Sequence, residues 1–267
     1  MEINIFSILS LNFVVKKNIK KEITMCYNIN KHPHFNEVKD YLCNFVSCNF
    51  EDFLKEMQDC ANIISNSISE TNYSVCGFDY FDKRWYPNNL NALRININNK
   101  VIGDIFEMFI GFFVQYFETG QVFSIRRSTY EFGNDLNDDV NETDLGMDGW
   151  GIFSSTNENA VIQVKYRSNP KDRPFTKEVF ASLFSDAIIK EKIMYGNQNQ
   201  RMIFFTNIPL GKKDSWDGKT NVFNYLVKES KTPVILIGKN EISCLVGSKK
   251  DNTTNTNFWK TFYSQFI

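Results

Sequence analysis

The chain has no surplus of charge of either sign. Thirty Lys and Arg stand against 31 Asp and Glu, for a formal net charge of -1. A strongly basic chain would suggest binding to nucleic acid through charge alone. This balance neither calls for that nor excludes it, because positive charge can be confined to a cleft while acids sit elsewhere. CxxC spacings are missing as well. The six cysteines, Cys26, Cys43, Cys48, Cys60, Cys76 and Cys244, are scattered. A zinc set drawn from Cys43, Cys48, Cys60, His32 and His34 fits no standard ligand template, and reduced thiols of an intracellular protein are the expectation. No hydrophobic run reaches membrane length. The opening "MEINIFSILSLNFVVKK" is interrupted by Glu2, Asn4 and Asn12, and falls short of the ~20 apolar residues of a span. It has neither the basic leading region nor the small-residue cleavage site of a secretory signal. It reads as a strand pair or buried segment of a soluble, cytoplasmic protein that makes no membrane contact. Internal repeats and low-complexity linkers are also lacking.

What is present suffices for a sizeable core. The chain has 267 residues, 42% of them hydrophobic, and 25 are Phe. That length holds one large domain, or one domain with a helical extension. Residues from about 35 to 70 place apolar side chains at three and four spacing and predict helix. Residues 72–93, with Gly, Pro and several aromatics, read as loop. The division expected is a mainly helical N-terminal extension over residues 1–95 and a second domain over 96–267. In that second part "NKVIGDIFEMFIGFFVQYFETG" predicts an apolar helix ending near Gly120. "QVFSIRR", "MDGWGIF" and "NAVIQVKYR" read as strands, the last two joined by the turn "SSTNEN". "FTKEVFASLFSDAIIKEKIMYG" and "DGKTNVFNYLVKES" read as helices, "RMIFFTN" and "TPVILIG" as strands, and "TNFWKTFYSQF" as a final helix. The order predicts an α/β fold, a mixed sheet flanked by helices.

The chemistry is concentrated in "DGWGIFSSTNENAVIQVKYR", which starts at Asp148. Side chains alternate along a strand, so Ile162, Val164 and Tyr166 share one face, and Val161, Gln163 and Lys165 the other. The hairpin carries Asp148 toward the far end of the partner strand, close to Lys165. A carboxylate, an amide oxygen and an ammonium then converge. A solvated hairpin face is the plainer reading of the same residues.

Asp148 with "Q-V-K" (Gln163, Val164, Lys165) resembles the motif of the PD-(D/E)xK nuclease superfamily. Gln at the second acid position departs from the superfamily pattern and resembles the Mrr-type restriction endonucleases. "GDIFEMFIGFFVQYFETGQVF", with Glu107 directly after a Phe, is similar to the leading helix of that branch. "RMIFFTN" and "TPVILIGKNEI" look like its fourth and last strands. The resemblance covers residues 98 to 245. It implies a restriction-endonuclease-like fold and a metal-dependent DNA endonuclease using Mg²⁺, with Mn²⁺ as a substitute. Phosphodiester hydrolysis needs a divalent cation to neutralise charge and to generate hydroxide from water, and Mg²⁺ takes hard oxygen ligands. Asp148 would supply a charged oxygen, Gln163 a neutral one and Val164 its backbone carbonyl. Lys165 would orient the attacking water or stabilise charge on the phosphorane.

Replacing an acid by Gln leaves the site short of one negative charge. Glu107 could restore it, because Gly103 and Gly111 lie four residues to either side on its helix face. A surface salt bridge is the alternative for Glu107. Arg167, Lys171 and Arg173, with Arg126 and Arg127, are candidates for phosphate contact, or are solvated. Thr206 and Asn207 either line the cleft or cap a turn. Trp150 stacks on a base or belongs to the core. Asp144 rivals Asp148, and the acidic loop 135–144 is read as a solvated segment. A dimer would suit double-strand cleavage. Two other functions fit the chain: a catalytically inactive nuclease-fold protein for nucleic-acid binding or assembly, and an interaction protein using the aromatic segment "CGFDYFDKRWYP" around Trp85.

Overall fold

The computed structural model describes residues 29, 32, 35–68, 90–117, 123–127, 148–153, 158–169, 200–210 and 234–267. Helix α1 spans Phe35–Leu42, α2 Phe50–Ser67 and α3 Leu90–Phe117. Strands follow at Phe123–Arg127 (β1), Gly149–Phe153 (β2), Glu158–Lys165 (β3), Gln200–Thr206 (β4) and Val234–Ile237 (β5). Helices α4, Lys239–Val246, and α5, Thr256–Tyr263, end the chain with a 3₁₀ turn, Ser264–Phe266. The class is α/β, as expected. One sheet has the order β1-β2-β3-β4-β5. Strands β1 to β3 form an antiparallel meander, whereas β4 and β5 run parallel to β3.

Three expectations are corrected. The single helical stretch over 35–70 is two helices. Asn49 breaks it by turning extended and accepting from the Asp52 N–H at 2.9 Å, the usual chemistry of an N-cap. The last four residues of the loop expected over 72–93 belong to α3, which begins at Leu90 and so runs across the boundary drawn at residue 95. "KNEI", read as part of the last strand, opens α4. There Glu241 accepts from the Gly238 N–H at 2.9 Å and satisfies a donor at the helix start. Gly247 then ends α4 at φ +114°, a conformation L side chains rarely adopt, and a Cβ there would meet the Thr253 carbonyl oxygen at 2.6 Å.

Helix α3 is apolar nearly all round over Val101–Val114, the signature of a helix buried on all sides. Below it lies one face of the sheet: Phe113 meets Phe205 at 6.1 Å between ring centroids, and Phe106 meets Tyr166 at 5.8 Å. Above it lie α2 and α5, where Phe109 meets Phe53 at 4.6 Å and Phe258 at 5.7 Å. Helix α2 buries Phe50, Phe53, Met57, Cys60, Ala61 and Ile64 in one stripe. Its last turn is tied down by Arg94, whose Nε and Nη2 donate to the Ile68 carbonyl at 3.1 and 2.8 Å. The expected N-terminal extension and the second part of the chain share one hydrophobic core, from Ile29 to Phe266.

Both faces of the central strands are buried. Ile162, Val164, Ile203, Phe205 and Ile237 face α3, and Met202, Phe204 and Leu236 are buried on the opposite face. Such strands read as continuous apolar runs. The opening segment 1–28, the helices expected at 175–196 and 217–230, the loop 135–144 with Asp144, Trp85 and its aromatic segment all lie outside the described residues.

Candidate active site

The hairpin register brings Asp148 to the Q-V-K strand. Gly149 pairs with Ile162, and the Asp148 N–H donates to the Ile162 carbonyl at 2.9 Å. This extends the ladder by one residue and turns the Asp148 side chain onto the next two positions. Its Oδ2 accepts from the Val164 N–H at 2.5 Å and from the Gln163 Nε2. Two donors on one oxygen fix the carboxylate, and hydrogen bonds to its charged form are the strong kind.

Gln163 is 2% exposed, so the solvated-face reading does not hold at that position. A buried amide requires partners, and Asp148 is one. Lys165 lies two residues on, on the same face, and is half-buried. Among the described residues it enters no ion pair. In the parallel pairing with β4 it stands beside Thr206. The Thr206 hydroxyl is fully buried and has no hydrogen-bond partner among the described residues, a costly arrangement. Carboxylate, amide, ammonium and orphan hydroxyl thus gather at one end of the sheet.

Asn207 has a clear structural duty. Its Oδ1 accepts from the Arg167 N–H at 2.7 Å and its Nδ2 donates to the Arg167 carbonyl at 2.9 Å. This two-bond clamp holds the exit of β3 against β4. Arg167 itself is half-buried. Arg127 pairs in register with Trp150 on β2, and Arg126 falls at an irregularity of that pairing. The backbone therefore places both arginines at the sheet end where Asp148 lies. Lys171 and Arg173 lie outside the described residues.

Glu107 lies close to His32 and Asp104. Its Oε2 is 3.5 Å from His32 Nε2, and ligand atoms of His32, Asp104 and Glu107 all lie within 4.8 Å of one another. Asp104, 1% exposed, also receives Lys100 Nζ at 2.7 Å. Burial lowers the His32 pKa to about 4, so its imidazole is neutral at pH 7. Gly103 is open, with nothing within 4 Å of an added Cβ, but Gly111 is buried in the core; the open surface expected around Glu107 exists on one side only. Sequence reading missed Asp104 and the role of His32. The D-x-x-E spacing on one helix face signalled Asp104, whereas no periodicity leads to His32. The cysteine-containing zinc set does not form among the described residues: Cys60 is buried, and Cys43 and Cys48 are exposed.

No family model, curated protein or solved structure matches this chain. Among the described residues, no helix is long and apolar enough to cross a membrane.

Proposed function

We propose that this chain is a metal-dependent DNA endonuclease of the PD-(D/E)xK type, with a restriction-endonuclease-like fold and its centre on the β2–β3 hairpin. The observation that carries this reading is the fixed Asp148 carboxylate beside Gln163 and Lys165, which enters no ion pair among the described residues, at a sheet end where Arg126 and Arg127 also lie. The donor set fits a hard cation. Asp148 offers a carboxylate, Thr206 a buried hydroxyl with no partner among the described residues, and Gln163, with its nitrogen turned to Asp148, a carbonyl oxygen. Asp148, Gln163 and the Val164 carbonyl would hold Mg²⁺ or Mn²⁺. When bound, the metal supplies charge neutralisation and a water of lowered pKa. Lys165 orients the attacking water and stabilises charge on the phosphorane. Arg167, Arg126 and Arg127 position the phosphate backbone. A chain with one such centre cuts one strand, so double-strand cleavage calls for a homodimer.

A second reading has its own observation. The Gln163 amide satisfies Asp148 without any cation, as expected of a catalytically silent nucleic-acid-binding protein that retains the fold. Cleavage of plasmid and branched DNA with Mg²⁺, by the parent and by Lys165→Ala and Asp148→Asn, separates the two. Cleavage lost in both variants is the expected result. DNA binding with no cleavage in any metal favours the silent protein. Cleavage surviving in both variants removes the hairpin from the mechanism.

A further inference from the structure

The geometry points to a second cation site, formed by His32, Asp104 and Glu107, that takes a first-row transition-metal dication such as Mn²⁺ or Zn²⁺. Its ligands come from two separate parts of the chain, one imidazole nitrogen and two carboxylate oxygens, within 4.8 Å of one another. Ligands around such a cation stand at ~2.0–2.2 Å from it, so small side-chain rotations close the set. Lys100, Gly103, Asp104 and Glu107 form one stripe of α3, and no described residue lies within 4 Å of a Cβ added at Gly103. Three protein ligands beside an open helix surface leave room for water to complete the coordination. The imidazole decides the metal class: it suits Zn²⁺ and its neighbours, whereas Mg²⁺ prefers oxygen donors and is reluctant to dehydrate.

Lys100 gives the site a built-in competitor. Its ammonium lies 2.7 Å from Asp104 Oδ1, and its side chain is 41% exposed. A flexible four-carbon stem lets it swing to solvent. It therefore supplies the positive charge that buried Asp104 needs when no metal is there, and yields when one binds. None of its ligands is on the hairpin, and its metal binding requires no nuclease activity.

The test uses the full chain, stripped with a chelator and then dialysed against Mn²⁺, Zn²⁺ or Mg²⁺, with bound metal counted by mass spectrometry. Co²⁺ absorption serves as a spectroscopic probe of the ligands. The expected result is tight binding of Mn²⁺ or Zn²⁺ that persists in Asp148→Asn. His32→Gln and Glu107→Gln should each weaken it by about tenfold or more, and Lys100→Met should tighten it. Circular dichroism in chelator checks that each variant is folded. If His32→Gln fails to fold, the half-exposed Lys100→Met decides alone. Affinity unchanged in Lys100→Met overturns the site, and so does binding lost in Asp148→Asn. So does metal binding that ignores His32 and Glu107.

Discussion

Replacing Gln163 by Glu puts a second carboxylate against Asp148. In the parent, the Gln163 amide donates to Asp148 Oδ2 at a position 2% exposed to solvent. In the variant that hydrogen bond is gone and two negative charges face each other. At an effective dielectric of about 20 and a separation of about 4 Å their repulsion is roughly 4 kcal/mol. The other outcome is that one carboxyl takes a proton, as paired carboxylates do. At pH 7 that costs roughly 4 kcal/mol for an ordinary Glu, and at pH 5 only about 1 kcal/mol. The sign follows from proton counting: the folded variant binds a proton more readily than its unfolded chain, so its stability falls as pH rises. Urea unfolding in chelator should therefore show Gln163→Glu less stable than the parent by roughly 4 kcal/mol at pH 7, with about 3 kcal/mol regained at pH 5. On the nuclease reading, Mg²⁺ at pH 7 would restore much of the deficit by neutralising the added negative charge. A variant as stable as the parent in chelator at pH 7 would refute the Asp148–Gln163 contact. A deficit that Mg²⁺ does not relieve would count against the metal centre but leave the contact standing.

Two further outcomes test the frame around the site. Phe109→Ala should cost about 3–5 kcal/mol, because its ring is fully buried and lies 4.6 Å from Phe53, 5.5 Å from Phe50 and 5.6 Å from Phe262; a urea midpoint shift worth under about 1 kcal/mol would show that α3 is not the centre of the core. In a brief iodoacetamide pulse at pH 8 followed by peptide mass mapping, Cys43, Cys48 and Cys244, all exposed, should be modified. Cys60 should not, since burial pushes its thiol up to about 12, and early modification of Cys60 would place α2 outside the core.

Strands were the legible part of the fold. Strands β1, β2 and β5 fall within the runs read as strands, and β3 and β4 each begin one residue before theirs; the hairpin register alone carried Asp148 to the Q-V-K strand. The break between α1 and α2 was harder, because Phe45, Val46 and Phe50 continue an apolar spacing across it; the signal lay in Asn49 and its cap. Helix α4 was hidden because its eight residues follow a strand without a strong apolar stripe, although Glu241 three residues after Gly238 marks a helix start. The His32–Asp104–Glu107 set was only half readable. Two of its members share a helix face, but tertiary packing alone brings His32 to them. Burial of Gln163 was equally out of reach, because the strand pattern distinguishes the two faces and not whether both are covered.

The aromatic roof over α3 has a consequence for how the chain comes to be folded. Phe258, Trp259 and Phe262 cover the α3 face that also meets α2, and Phe266 stacks on Phe35 at 5.6 Å. Ser47 bonds to Tyr263, and Thr254 to the Cys48 carbonyl, across sequence separations of 216 and 206 residues. During synthesis the first helices and the apolar α3 therefore emerge long before the residues that cover them. Such non-local closure is slow and leaves apolar surface open to aggregation. A nascent chain released before Thr256 would lack its roof altogether, so the ribosome must deliver α5 before the core can close.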